Sequence, residues 1–130
     1  EVITEIADYF EKEIGYEIPP MTPFVGKNFN STRAGIHADG LLKDERIYSI
    51  FNTGKILNRP AEVMVDAHSG TAGIAYWMNT HMGIDIDKRS PVVSAIKDHI
   101  DTLYEACRTT VMSNEELEAI VADELAKDVK

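Results

Sequence analysis

Apolar residues recur at helical spacing at both ends of this chain. Val2, Ile3, Ile6, Phe10 and Ile14 predict an amphipathic first helix, and Gly15 is placed to stop it. Pro19, Pro20 and Pro23 then force an extended connector. Asn30 or Ser31 can cap a short helix through Leu42, which Gly35 and Gly40 weaken. Asp44 can cap a second short helix through Phe51, and Asn52 to Pro60 reads as a loop. Glu62 to Val65 has slight strand character. Ser69 or Thr71 can open a helix that runs to about Met82, with Gly83 ending it. Ser90-Pro91 is a start signal, a cap followed by proline at the first helical position. From there Val92, Val93, Ile96, Ile100, Leu103, Tyr104, Cys107 and Val111 mark one long amphipathic helix. Ser113-Asn114-Glu115-Glu116 has the form of a capping box, and Leu117, Ile120, Val121 and Leu125 continue the last helix.

The pattern amounts to five or six helices with almost no sheet. The expected fold class is therefore all-α, a small helical bundle. No internal repeat is visible. No alternation of apolar strands and helices is present, so the chain by itself does not encode a parallel barrel.

Composition narrows the function classes. The 130 residues, 44% hydrophobic and 27% charged, suit one globular unit. The formal charge of −9 argues against general binding to nucleic acid or to an anionic membrane. No signal peptide or transmembrane run is visible. Cys107 is the single cysteine, so no internal disulfide can form. It falls in an apolar helical pattern and reads as a small core residue, and a reduced, cytoplasmic compartment is expected. The charge is uneven. From Phe24 to Arg59, Lys27, Arg33, Lys43, Arg46, Lys55 and Arg59 outnumber Asp39, Asp44 and Glu45, giving +3. That stretch is either an ordinary solvated surface or a local field for an anionic substrate.

The same stretch holds the candidate chemistry. His37 lies between Gly35 and Gly40, which give the backbone freedom or admit a ligand closely. A free imidazole titrates at about pH 6.5 and can carry a proton near neutrality. Asp39 could orient it, but residues two apart on a helix do not face each other. Tyr48 offers a hydroxyl for hydrogen bonding, or simply packs a short helix. Tyr76, Trp77 and Met78 read as helix interior. Ser69-Gly70 and Gly73 put backbone amides at a helix start, as a simple cap or an anion seat. His37, His68, His81 and His99 show no close metal-ligand spacing, so no metal site is expected from this chain.

Four motifs in order carry a resemblance: Phe24-Val25-Gly26-Lys27-Asn28, then Ala34-Gly35-Ile36-His37-Ala38-Asp39-Gly40-Leu41-Leu42-Lys43, then Tyr48-Ser49-Ile50, then His68-Ser69-Gly70. Together they resemble the region after the barrel in the 2-isopropylmalate, homocitrate and citramalate synthases of the DRE-TIM metallolyase superfamily. The match is close from Pro19 to Gly83 and extends by helix pattern to about Leu125. It implies a parent enzyme that condenses acetyl-CoA with a 2-oxo acid and then hydrolyses the thioester. It implies a divalent metal held by a (β/α)8 barrel outside this chain. It also implies a homodimer in which this region reaches over the partner's barrel. Within that resemblance His37 matches the histidine that assists proton transfer, and Tyr48 matches a tyrosine of the same lid. No residue here is assigned to acetyl-CoA. Residues 34–38 are nearer to homocitrate synthases and residues 39–43 to 2-isopropylmalate synthases. Thr32 stands where many relatives carry a histidine, and Asp66-Ala67 where many carry Gly-Lys.

The expectation is the C-terminal part of a 2-isopropylmalate or homocitrate synthase, inactive alone. Its first residue is Glu1, not methionine, as expected of a trimmed piece. Residues 1–23 would lead out of the missing barrel, 24–60 would form a lid with His37 and Tyr48, and 61–130 would form a helical subdomain. An apolar face should be exposed for the barrel or a second subunit. The alternatives are a citrate- or citramalate-forming synthase of the same superfamily, or a non-catalytic helical interaction module.

Overall fold

The chain is described here by a computed structural model that covers residues 2–128. Helix α1 (Val2–Tyr9) runs on into a π-helical turn at Phe10–Ile14. After the proline connector come strand β1 (Ser31–Thr32), helix α2 (Gly35–Lys43) and a 3₁₀ turn (Glu45–Ile47). Helix α3 (Thr53–Leu57) and strand β2 (Glu62–Val63) follow. Helix α4 (Thr71–Trp77) continues into a second π-helical turn (Met78–Met82). The chain closes with α5 (Pro91–Glu105) and α6 (Asn114–Asp128). The architecture is thus the expected small helical one, with six α-helices among the described residues.

The main core joins α4, α5 and α6. Val93, Ile96 and Ile100 of α5 are fully buried against Ile74 of α4, Met78 just after it, and Leu117 and Val121 of α6. Trp77 joins the same core, and its indole Nε1 donates to Asn114 Oδ1 at 3.0 Å, tying α4 to the start of α6. A smaller cluster of Ala38, Leu41, Ala61, Val63 and Tyr76 seats α2 against α4. The Tyr76 hydroxyl donates to the Ala61 carbonyl, and burial pushes its pKa up, with Glu45 adding to the effect. Tyr76, Trp77 and Met78 are therefore interior residues, as their spacing indicated.

The local signals at helix ends hold in most places. Gly15 and Gly83 both take left-handed backbone at the C-termini of their helices (φ 70° and 67°). Ser90 precedes α5, with proline in its first turn. The capping box is present: Glu116 N donates to Ser113 Oγ at 3.2 Å, and Ser113 N donates to Glu116 Oε2 at 2.8 Å.

Five local expectations fail, some to tertiary contacts and some to nearby hydrogen bonds. Asn30 and Ser31 do not cap α2, because Ser31–Thr32 pairs in parallel with Glu62–Val63. The Asn30 amide instead bridges Thr53 Oγ1 and the Arg59 carbonyl. Asp44 does cap, accepting from Arg46 N at 2.9 Å, but only for the single turn Glu45–Ile47. Asn52–Pro60 is not a plain loop: Asn52 caps α3 by accepting from Lys55 N, and Asn58 ends it in left-handed backbone. Helix α5 stops at Glu105, so Cys107 is exposed (φ 70°) rather than a core residue. Just beyond it, Arg108 turns back to pair with Glu116 and donates to the Val111 carbonyl, which reverses the chain before α6. At α4 neither Ser69 nor Thr71 is the cap. Gly70 holds that position, while the buried Ser69 hydroxyl accepts from Asp66 N and donates to the Met64 carbonyl.

Among the described residues, no helix is long and apolar enough to cross a membrane.

Candidate active-site surface

Helix α2 carries the candidate site on its first turn. Ala34 takes extended backbone at the N-cap, and the His37 amide closes the turn onto the Ala34 carbonyl at 3.0 Å. This leaves the His37 side chain exposed at the edge of the α2–α4 layer. The chain then turns at Asp44 and the Glu45–Ile47 segment and returns Tyr48 to the same place. The His37 and Tyr48 rings lie 4.8 Å apart, tilted by 51°. The two residues that the resemblance singles out, eleven apart in sequence, are in direct contact.

Gly40 makes this return possible. A Cβ at Gly40 would lie 2.5 Å from Tyr48 Cε2 and 2.9 Å from its hydroxyl oxygen. Gly40 is helical, and among the described glycines only Gly15 and Gly83 have positive φ. Its role is thus to admit the tyrosine ring, not to supply unusual dihedrals.

Asp39 does not serve His37. Its carboxylate is held by Lys43 at 2.8 Å and by Lys88, which arrives from the loop before α5. Hydrogen bonds from Lys43 and then Lys88 hold its carboxyl down to about 2. The partner of the imidazole is instead Thr32, whose Oγ1 lies 3.1 Å from His37 Nδ1. Thr32 also accepts a longer hydrogen bond from the Ala34 amide at 3.3 Å. Sequence reasoning did not find this residue. The only signal was that Thr32 occupies a position where many relatives of the resembling family carry a histidine.

The positive stretch is partly spent on structure. Arg46 pairs with Asp44, Lys43 with Asp39, and Arg59 donates to the Phe24 and Gly26 carbonyls while lying over the Phe29 ring. Among the described residues the side chains of Lys27, Arg33 and Lys55 make no ion pair. His68 is exposed, and its amide donates to Asp66 Oδ1.

Among the described residues, His99, Asp123 and Glu124 form one group whose ligand atoms lie within 4.8 Å of one another. The Lys127 ammonium already bridges both carboxylates, at 2.7 Å and 2.8 Å. Hydrogen bonds from Lys127 to Asp123 and Glu124 lower both carboxyls, so the group is satisfied as an ion cluster. It lies on α5 and α6, not on the α2 turn that bears His37. It does not fit the metal that the resemblance implies.

The front of the molecule is apolar. Val2, Ile3, Ile6, Tyr9, Phe10 and Ile14 of the first helix are all exposed. With Tyr16, Ile18, Pro19 and Val25 this helix borders a groove of about 570 Å³.

No family model matches the chain. Individual proteins do. A citrate (Re)-synthase of Syntrophus aciditrophicus is 56% identical over 124 residues, covering 92% of this chain and 20% of that protein. A citrate (Re)-synthase of Clostridium kluyveri is 54% identical over 125 residues, covering 93% of this chain and 28% of that protein. A 2-phosphinomethylmalate synthase of Streptomyces hygroscopicus is 34% identical over 82% of this chain. The chain therefore spans about a fifth to a little over a quarter of the length of the first two relatives. These identities shift the preference away from 2-isopropylmalate or homocitrate and toward the citrate-forming alternative. Over nearly its whole length the chain is homologous to one segment of the Re-citrate synthases, and over shorter stretches to 2-isopropylmalate and citramalate synthases, and it belongs to that family of the DRE-TIM metallolyase superfamily.

Proposed function

We propose that this chain is the His37-bearing segment of a citrate-forming synthase, which condenses acetyl-CoA with oxaloacetate and releases coenzyme A. The observation that carries the reading is the identity above one half to two Re-citrate synthases, over a segment that includes the His37–Tyr48 contact. In this reading residues 1–23 lead out of the barrel, 24–60 form the lid, and 61–130 support it. The exposed apolar front is the surface that meets the rest of the enzyme or a second subunit of a homodimer.

The chemistry asked of the chain's own residues is modest. A proton leaves the acetyl methyl, the enolate carbon attacks the ketone carbon of oxaloacetate, and the new alkoxide takes a proton. Water then cleaves the thioester. An imidazole serves such transfers near neutrality, and general acid–base help of this kind is worth on the order of 10²–10⁴ in rate. Tyr48, against the imidazole, offers a hydroxyl to the oxygen that gains charge. A lid carrying both groups also excludes water until condensation is complete. The family's divalent metal, which holds the 2-oxo acid, belongs to parts of the longer protein outside this chain.

The test is free-thiol release from acetyl-CoA by the full-length protein that contains this chain. Pyruvate, 2-oxoisovalerate, 2-oxoglutarate and oxaloacetate are offered, with and without His37→Ala. Release with oxaloacetate that falls at least ~100-fold in the variant is expected. Preference for another acid would reassign the substrate. A fully active variant would remove His37 from the chemistry, and no release with any acid would favour a non-catalytic helical module.

A further inference from the structure

We infer that Thr32 is a positioning residue for His37, holding the imidazole through Nδ1 and leaving Nε2 as the nitrogen that exchanges protons with substrate. This rests on the reading of His37 as the proton carrier. Among the described residues the Thr32 hydroxyl is the one polar side chain that hydrogen-bonds this ring. Tyr48 lies against the ring and limits its tilt, but such a contact does not distinguish the two nitrogens. Asp39, the carboxylate nearest in sequence, is occupied by Lys43 and Lys88.

Thr32 is a firm anchor. It sits in β1, where its carbonyl accepts from Met64 N at 2.9 Å, so the hydroxyl hangs from paired backbone. The anchored contact restrains a side chain that is otherwise exposed and free to rotate. A hydroxyl is also chemically apt. With Nε2 exchanging the proton, Nδ1 keeps its hydrogen in both the neutral and the charged ring, and the hydroxyl oxygen can accept from Nδ1–H in both. The ring can thus stay bonded through both halves of a proton-transfer cycle. A carboxylate in the same place would favour the charged imidazole and bias the cycle. With Nδ1 engaged, Nε2 is the nitrogen left to react.

The test uses the full-length protein with ¹⁵N-labelled histidine, the His37 signals being assigned with His37→Gln. Wild-type neutral His37 should be predominantly the Nδ1–H tautomer. Thr32→Val keeps the branched shape and removes the hydroxyl. It should give a mixture of tautomers and a kcat lower by about tenfold, the worth of one hydrogen bond, with the KM for acetyl-CoA unchanged. Thr32→Ser should restore the single tautomer and most of kcat. Thr32→Asp should raise the pH at which the His37 ring titrates. A mixed tautomer in the wild-type protein would overturn the inference, and this measurement needs no variant. So would a Thr32→Val protein with unaltered tautomer and kcat, or equal losses in Thr32→Val and Thr32→Ser. If His37→Gln keeps full activity, the catalytic reading of His37 fails instead, while the ¹⁵N pattern still decides the Thr32 contact.

Discussion

The two halves of this molecule treat their hydrophobic residues in opposite ways. In the described structure every large exposed hydrophobic lies between Val2 and Ile56, while the main core lies wholly between Val65 and Val121. Helices α1 and α5 show the contrast most plainly. Both carry apolar residues at three- and four-residue spacing, yet Ile6 is 61% exposed and Ile96 is 0% exposed. Periodicity states that a helix has a face to bury, not that its partner lies in the same chain. The back half finds its partners in α4, α5 and α6. The front half keeps its apolar side chains outward and holds the His37–Tyr48 pair beside them. Stability is therefore expected to reside in the back and function in the front.

The largest effect should follow from Ile96→Ala, which opens a cavity among three helices. The loss should be about 3 kcal/mol in thermal or urea unfolding of this chain, whereas Ile6→Ser should cost no more than about 0.5 kcal/mol. Comparable losses at the two sites would mean that the front has a packing partner within the chain and would end the contrast.

Gly40→Ala sharpens it from the other side. The added methyl displaces the Tyr48 ring, which is exposed and can move away. Folding stability should change by less than about 1 kcal/mol, since alanine is the better helix former. Turnover by the full-length enzyme should nevertheless fall by about tenfold as Tyr48 leaves His37. A variant with normal turnover would show that the ring contact is not needed.

The smallest effect is a pH dependence at one ion pair of the back. Arg108, and then the Ser113 amide, hold the Glu116 carboxyl down to about 2, well below its ordinary 4.5. The folded state then has the lower pKa, so the unfolded state binds the proton first as pH falls. The stabilisation is present above about pH 4.5 and is lost as pH drops through about 2. Glu116→Gln keeps a capping side chain but should flatten this part of the acid-unfolding curve. An unchanged curve would show that the Arg108 pair contributes nothing, as exposed pairs often do.

Much of this was legible from short-range chemistry. The helical class, the stops at Gly15 and Gly83, the start at Ser90-Pro91 and the Ser113–Glu116 box depend on residues within a turn of one another. The family likewise showed in ordered strings around His37 and His68-Ser69-Gly70. What failed depended on distant residues. Asn30 and Ser31 have good capping chemistry, but pairing with Glu62–Val63 drew Ser31 into a strand, and Asn30 bonds Thr53 and Arg59. Cys107 fits the apolar period of α5, but Arg108 and Glu116 reverse the chain beside it.

The sequence by itself determined that this is a helical segment of an acetyl-CoA-dependent synthase family, and it marked His37 and Tyr48 as the residues to watch. Only the tertiary structure decided that these two touch, that Gly40 makes room for the contact, and that Asp39 answers to Lys88, forty-nine positions away. It also assigned Thr32 to the imidazole, through a strand whose partner lies thirty-one residues on. The physical reason is common to all of these. Capping and periodicity act within a few residues along the backbone, whereas the partner of an exposed side chain is set by how whole elements pack.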